Sequence, residues 1–526
     1  MSIKQHSDII LHHSKVYTVN EKFEIAEAIA VKNGKIQAVG TNEHILSHFQ
    51  AKNSINVQGK TIFPGFYDAH CHFLRYAAML NEVLLFDCKS IEEVIANLKQ
   101  FRKQNPKTTH LVGRGWNEDK WPSKKMPTKQ LLDKHFPDLP VLLIRIDLHA
   151  AVANTKALEV AKIDENTTIE GGIIEQKNNE LTGLLIDKAL YRAAESLPQL
   201  SRLQLADLLL EAQKHCHAVG LTTLNEALID VAEINLIVEL QQKGLLKMRF
   251  YMMVNSTEAN KKYFFENGIY KDDFLNIRTF KYFADGALGS RGAWLLKDYS
   301  DAKNHKGLAL LDAENFEKDC KEYAEKGFQV ATHAIGDAAN RFVLETYGKA
   351  LQPNNDKRWR LEHAQIVDKN DMYLFEKYRI TPSIQATHAT SDMYWVEKRL
   401  GKKRLQDAYC FQDLWQKNGF VAAGSDFPVE KINPLLGFYA AVARQDVVGF
   451  PEKGFQIENA LSRKQALQAM TIHAAYSNFE EQERGSIEVG KMADLVVLEN
   501  DIMEVEMNKV PQTKVLMTFL GGEKVF

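Results

Sequence analysis

The sequence predicts an α/β protein: a TIM-like (β/α)8 barrel, a small β-sandwich domain built from both termini, and an insertion after the first barrel strand. Three observations predict it. In the middle of the chain, short apolar strands that end in polar residues alternate with helical segments, and eight such strands can be counted. Both ends of the chain are rich in β-branched residues and turn signals. A block from about residue 86 to 200 carries further strand-like pieces that do not fit the alternation.

Residues 1–60 and 480–526 are expected to form the composite β domain. The stretches DIILHHSKVYTV, AIAVKNGKIQAVG and SINVQGKTIF surround an Asn33-Gly34 hairpin turn, and KVLMTFLGGEKVF carries Gly521-Gly522. The barrel is expected over residues 61–479. Its strands are TIFPGFYDAH, GLTTLNE, KMRFYMMV, IRTFKYFADG, GFQVATH, WRLEH, ITPSIQATH and GFVAAGSD. Intervening stretches such as SRLQLADLLLEAQKHCHAVG and DAENFEKDCKEYAEKG place apolar residues at helical spacing with a glycine at or near the end. The insertion contributes HLVGRGWN, VLLIRIDLHA, GGIIE and LTGLLID, and its Trp116, Trp121 and His149 are residues suited to covering a pocket.

Composition narrows the classes. At 526 residues with 45% hydrophobic and 25% charged, the chain is of ordinary globular make-up and long enough for more than one structural unit. A formal net charge of -2 gives no reason to expect nucleic acid or an anionic membrane as partner. Five dispersed cysteines without C-x-x-C spacing point to reduced thiols and a cytoplasmic setting. The N-terminus lacks a basic region followed by an apolar core, and no apolar run is long enough to span a bilayer. The stretch GFYAAVARQDVVGF suits either core or a contact between copies, so a homo-oligomer stays open.

In a barrel of this kind, reactive groups sit at the C-terminal ends of the strands. His70 and His72, at i and i+2 of an extended segment, face one side while Cys71 faces the other. The remaining strand ends offer Lys281 and Asp285, then His333, Glu362-His363, Gln385 with His388, and Asp426. Imidazoles with carboxylates suit a divalent transition metal, Zn first, with Fe, Mn or Ni as alternatives. Any one of these histidines has an ordinary structural explanation, but their recurrence at successive strand ends favours a shared site.

These residues carry a resemblance. FPGFYDAHCH, GWNEDKWPSKKMPTKQLLD, HAAVANTKAL, KYFADGALGSRGA, THAIGDAANR, LEHAQIV, QATHATSDMYW, GSDFPVE and GSIEVGKMADLVVLEND resemble the amidohydrolase superfamily, specifically its amidohydrolase-3, YtcJ-like group that includes N-substituted formamide deformylases. The resemblance implies that His70, His72 and Asp426 hold one metal and that His333 and His363 hold a second. It further implies a carboxylated Lys281 bridging two ions. The other reading, Lys281 as an ordinary cation paired with Asp285, leaves one ion. The implied activity is metal-dependent hydrolysis of a C–N bond in a small-molecule amide, formamide or cyclic amide, with Asp426 as general base. Ester or lactone hydrolysis at the same site, and a non-catalytic scaffold, are the alternatives. His388 and His149 are candidates to donate hydrogen bonds to substrate or oxyanion. Trp116, Asp285, Arg291 and Gln385 are candidate substrate-binding residues. The sequence departs from the group at Leu148, where a glycine is usual.

Overall fold

A computed structural model describes residues 4–146 and 149–526. Leu148 and Met1–Ile3 therefore lie outside the described residues. The chain forms two compact units: Met1–Phe73 with Gln213–Phe526, and Leu74–Ala212.

The first unit holds the barrel. Its strands are β1 Phe66–Cys71, β2 Leu221–Ile229, β3 Arg249–Asn255, β4 Leu275–Phe283, β5 Gln329–Ala334, β6 Arg360–His363, β7 Thr381–Ile384 and β8 Ala422–Ala423, hydrogen-bonded in that order. Each neighbouring pair is parallel. Just beyond β8, the Asp426 N–H donates to the His70 carbonyl at 2.7 Å, which brings the last strand back to the first. All eight segments read as barrel strands supply one. β1 and β7 are buried at every position, as expected of parallel strands covered on both faces.

One expected strand is in fact two. TIFPGFYDAH divides at Gly65: Thr61–Pro64 pairs into a terminal sheet, and Phe66–Cys71 enters the barrel. Gly65 crosses so close to β2 that a Cβ there would lie 2.4 Å from Thr222 Oγ1. Only glycine passes.

Two terminal sheets face each other. One runs in the order Lys35–Gly40, Ala28–Lys32, Gln5–His12, Phe49–Asn56, and the other Glu523–Lys524, Val515–Leu520, Leu495–Leu498, Thr61–Pro64, Lys15–Tyr17, Ile25–Ala26. Leu11, Val31 and Ile36 of the first pack with Val16, Ile62, Leu495, Val497 and Phe519 of the second. The second sheet thus draws strands from both chain ends. Asn33 and Gly34, at φ 51° and 75°, supply the left-handed pair that the predicted hairpin turn requires. Asp494, preceding Leu495–Leu498, receives Arg249 Nε at 2.7 Å and Nη2 at 2.9 Å, and so ties this sheet to the start of β3.

The second unit is a six-stranded sheet in the order Gly172–Lys177, Glu180–Asp187, Ala150–Ala153, Val141–Arg145, Leu111–Trp116, Val83–Leu84. It extends beyond the residues 86–200 expected for the insertion, because its strand signals do not mark the helical segments at its ends. VLLIRIDLHA supplies the strand Val141–Arg145 and the first residue of another, Ala150–Ala153, which pairs antiparallel to it. Trp116 and Trp121 sit in this unit's own core with Val94, Leu98, Leu132 and Phe136. All five cysteines are buried and free. Among the described residues no helix is long and apolar enough to cross a membrane.

Candidate metal centre

At the C-terminal end of β1, alternation along the strand puts Asp68, His70 and His72 in one phase. Cys71 falls on the other side, its thiol donating to the Asn225 carbonyl. The buried Asp68 carboxylate accepts the His70 N–H at 3.1 Å and both the N–H and hydroxyl of Ser425, at 2.9 and 2.5 Å. This pins the end of β1 to the segment that carries Asp426. The His72 N–H donates to the Phe427 carbonyl at 2.8 Å, a second tie between the same segments.

Across the barrel, β6 presents Glu362 and His363 in succession, and both reach His70. Glu362 Oε2 lies 2.6 Å from His70 Nδ1, and the rings of His363 and His70 are 5.0 Å apart. Consecutive residues of a regular strand point to opposite faces. Here His363 and Ala364 have φ of 74° and 43°, and this left-handed pair lets both neighbours turn inward. Asp426 is likewise left-handed, at φ 63°. Such non-glycine geometry costs energy and clusters at functional sites.

The donors converge. Ligand atoms of His70, His363 and Asp426 all lie within 4.8 Å of one another. Asp426 Oδ1 is 3.3 Å from His72 Nε2 and 3.7 Å from His70 Nε2, and Asp426 Oδ2 is 3.3 Å from His388 Nε2. The His333 ring is 4.4 Å from that of His363, and its Nε2 is 3.5 Å from Asp285 Oδ1. This triad joins His363 to His70 and Asp426, which the resemblance assigns to different ions.

Electrostatics prepare these groups for a cation. Burial, with the Lys281 ammonium adding to it, lowers His70 to about 4 and His333 to about 3. Burial and the neighbouring His333 take His363 well below the usual imidazole value. Neutral imidazoles are the form that binds metal. Against the upward push of burial, His388 and His72 hold the Asp426 carboxyl well below the ordinary carboxylate range. His388 is raised to about 9: burial opposes this, but Asp426 outweighs it. Lys281, buried, is lowered to about 8 by that burial.

Several polar atoms here are buried without an aligned hydrogen bond: Lys281 Nζ, His333 Nε2, His363 Nδ1, His388 Nε2 and Asp426 Oδ1. Native proteins rarely leave such atoms unsatisfied, and a cluster of them calls for an explanation such as an ion. The donor set of imidazole and carboxylate fits a divalent transition metal.

The other predicted residues are placed as follows. Asp285 does not pair with Lys281; its carboxylate accepts the N–H groups of Trp294, Ile335 and Gly336 at 2.9, 3.0 and 2.8 Å, tying the loop after β4 to the loop after β5. Lys281 Nζ instead sits 5.0 Å from the centre of the Phe283 ring. Arg291 is paired with Asp301. Gln385 is buried, its amide oxygen without a hydrogen bond. His149 and Trp116 belong to the second unit, where His149 Nδ1 is 2.8 Å from Asp187 Oδ1 and Trp116 is fully buried. Sequence reasoning noted Glu362 only as a strand end and passed over Arg360 and Asp68. The available signal was R-x-E immediately before a candidate ligand, two opposite charges in phase on a strand too apolar to leave them in water.

Imidazoles, a lysine and a carboxylate gathered at the C-terminal ends of a parallel eight-stranded barrel define a barrel protein with a candidate cation site. The chain belongs to the amidohydrolase family, whose model matches residues 54–526. It is 31% identical to the putative amidohydrolase YtcJ of Bacillus subtilis (strain 168), covering 98% of this chain and 99% of that one. It is 26% identical to the N-substituted formamide deformylase of Arthrobacter pascens, covering 98% of each. Among solved structures, an uncharacterized metal-dependent hydrolase from Pyrococcus horikoshii OT3 superposes with a TM-score of 0.80 at 26% identity, over 95% of this chain and 99% of that one.

Proposed function

We propose that this protein is a hydrolase of C–N bonds in small-molecule amides, formamides or cyclic amides, dependent on one or two divalent transition-metal ions, Zn first. The observation that carries the reading is the buried cluster of neutral imidazoles around an ionised Asp426 whose Oδ1 has no aligned hydrogen bond. The N-substituted formamide deformylase relative is consistent with this bond class. His70, His72, His333, His363 and Asp426 would hold the metal. When bound, the metal supplies an acidified water and polarises the carbonyl under attack.

The protein's own groups do the rest. Asp426, beside the donors and already ionised, takes the proton of the attacking water and passes it to the departing nitrogen. His388, raised to about 9 and thus protonated near neutral pH, donates to the developing oxyanion. Lys281, lowered to about 8, has a neutral fraction able to add carbon dioxide; the amine gains a carboxylate and loses a proton, turning an unpaired buried cation into an anionic ligand. Gln385, with its unsatisfied amide oxygen, serves the substrate. Asp285 and Arg291 shape the loop after β4. Five free, buried cysteines suit a reducing, cytoplasmic setting.

The test is metal analysis of the purified protein followed by a hydrolysis screen across N-formyl, N-acyl and cyclic amides, with esters and lactones as the competing class. The expected result is at least one equivalent of transition metal and turnover of an amide. Well under one equivalent, with no activity on adding Zn or Mn, refutes the reading.

A further inference from the structure

His70 contacts two carboxylates, one at each ring nitrogen, and they differ in what they offer. Glu362 Oε2 is 2.6 Å from Nδ1, whereas Asp426 Oδ1 is 3.7 Å from Nε2. We propose that Glu362, seated by Arg360, is a positioning residue that holds His70 as its Nδ1–H tautomer and so presents Nε2 as an open lone pair to the metal.

The argument starts from what a carboxylate can do. Once ionised it only accepts, so a contact of 2.6 Å requires the proton on Nδ1. Glu362 is fully buried with the Arg360 guanidinium against it, its Oε2 3.3 Å from Nη2, and that facing cation keeps the carboxylate ionised. Arg360 is equally buried, and donates Nε to Glu362 Oε1 at 2.6 Å and Nη2 to Ser383 Oγ at 3.0 Å. Its Nη2 also donates to the carbonyl of Ala69, at 2.5 Å, so one guanidinium sets both the carboxylate that grips His70 and the backbone immediately before it. The other terminal nitrogen, Nη1, donates to Ser477 Oγ and Asn478 Oδ1 at 3.1 and 3.2 Å. With the proton on Nδ1 and a neutral ring, Nε2 and Asp426 Oδ1 face each other as two acceptors. A cation relieves that opposition. Outer partners of this kind orient a metal-binding imidazole and raise its basicity.

This inference rests on the metal-dependent reading above, and two measurements separate them. In metal-free protein labelled with 15N-histidine, the His70 signals, assigned by their loss in His70→Asn, should report a protonated Nδ1 and a bare Nε2 near neutral pH. Zn affinity, read by competition with a chromophoric chelator, should fall about 10- to 100-fold in Glu362→Gln, because the amide can donate to Nδ1 and drive the proton to Nε2. Glu362→Asp, which keeps an acceptor and the charge facing Arg360, should recover part of the loss. It also serves if Glu362→Gln does not fold. An ordinary structural ion pair would lower the melting temperature without changing tautomer or affinity. A protonated Nε2 in the wild type, or unchanged Zn affinity in the folded variants, overturns the proposal. A wild type that binds no Zn overturns the metal reading instead, and the tautomer measurement still decides whether Glu362 positions His70.

Discussion

Gly424→Ala is the sharpest mechanical probe of the site. A Cβ at this position would lie 2.3 Å from the His70 backbone nitrogen, 2.8 Å from Asp68 Oδ1 and 2.9 Å from the His70 carbonyl oxygen. The first contact is about 1 Å short of ordinary van der Waals distance. Two of the three obstructing atoms are backbone and cannot rotate aside, so the segment after β8 must move away from β1. The ties it would break are the Asp426 N–H to the His70 carbonyl and the Ser425 groups to Asp68. Overpacking of this kind costs about 1–3 kcal/mol in stability. The functional cost is larger, since a displacement of about 1 Å between reacting groups costs roughly 100-fold in rate. The matched control is Gly437→Ala, in the helix Pro434–Ala443, where a Cβ meets nothing within 4 Å. It should be neutral or stabilising by up to about 1 kcal/mol, from helix propensity. The assay compares melting temperature, metal content and kcat/KM of both variants with wild type. A Gly424→Ala protein with wild-type metal content and kcat/KM within threefold would refute the close-approach argument.

Asp426→Asn should lower kcat by roughly 100- to 10,000-fold while the histidines retain at least part of the metal; near-normal turnover would place the proton carrier elsewhere. Asp494→Ala leaves Arg249 buried without its carboxylate and should destabilise by about 3–5 kcal/mol in urea unfolding, and a loss below about 1 kcal/mol would contradict it. His217 and His473, each lowered to about 4 by burial, should make stability fall with acid. The unfolded chain takes up their protons below its value near 6.5 and the folded chain only near 4, so stability is full above that window and declines through it. The loss is at most about 3 kcal/mol per histidine. His473→Gln should flatten the pH dependence of the urea midpoint between these limits, and an unchanged slope would exclude its contribution.

The barrel was legible because each strand couples a short apolar run to a polar terminus, and the helices between announce themselves by spacing and glycine. The strand-end donors were legible for the same reason: a parallel barrel places every such terminus on one rim. TIFPGFYDAH shows where the pattern stops being informative. Its apolar run is continuous across two sheets, and only the closeness of Thr222 to Gly65 marks the division. VLLIRIDLHA fails similarly, since its composition does not reveal that Ala150–Ala153 pairs antiparallel with Val141–Arg145. Trp116 and Trp121 illustrate a different limit. An aromatic pair reads the same whether it lines a pocket or fills a core, and here both side chains are buried in the core of the insertion.

The sequence by itself determined the barrel, the terminal sandwich and the set of groups at the strand ends, because local periodicity and residue chemistry carry that information. Tertiary structure alone decided how those groups are shared. That Glu362 faces His70, that Asp285 serves backbone amides rather than Lys281, and that His363 turns inward beside its own neighbour depend on left-handed backbone at His363 or on contacts between residues 50 and 292 positions apart. Hydrogen bonds and ion pairs are settled by distance and direction in space, and neither is written in the order of residues along the chain.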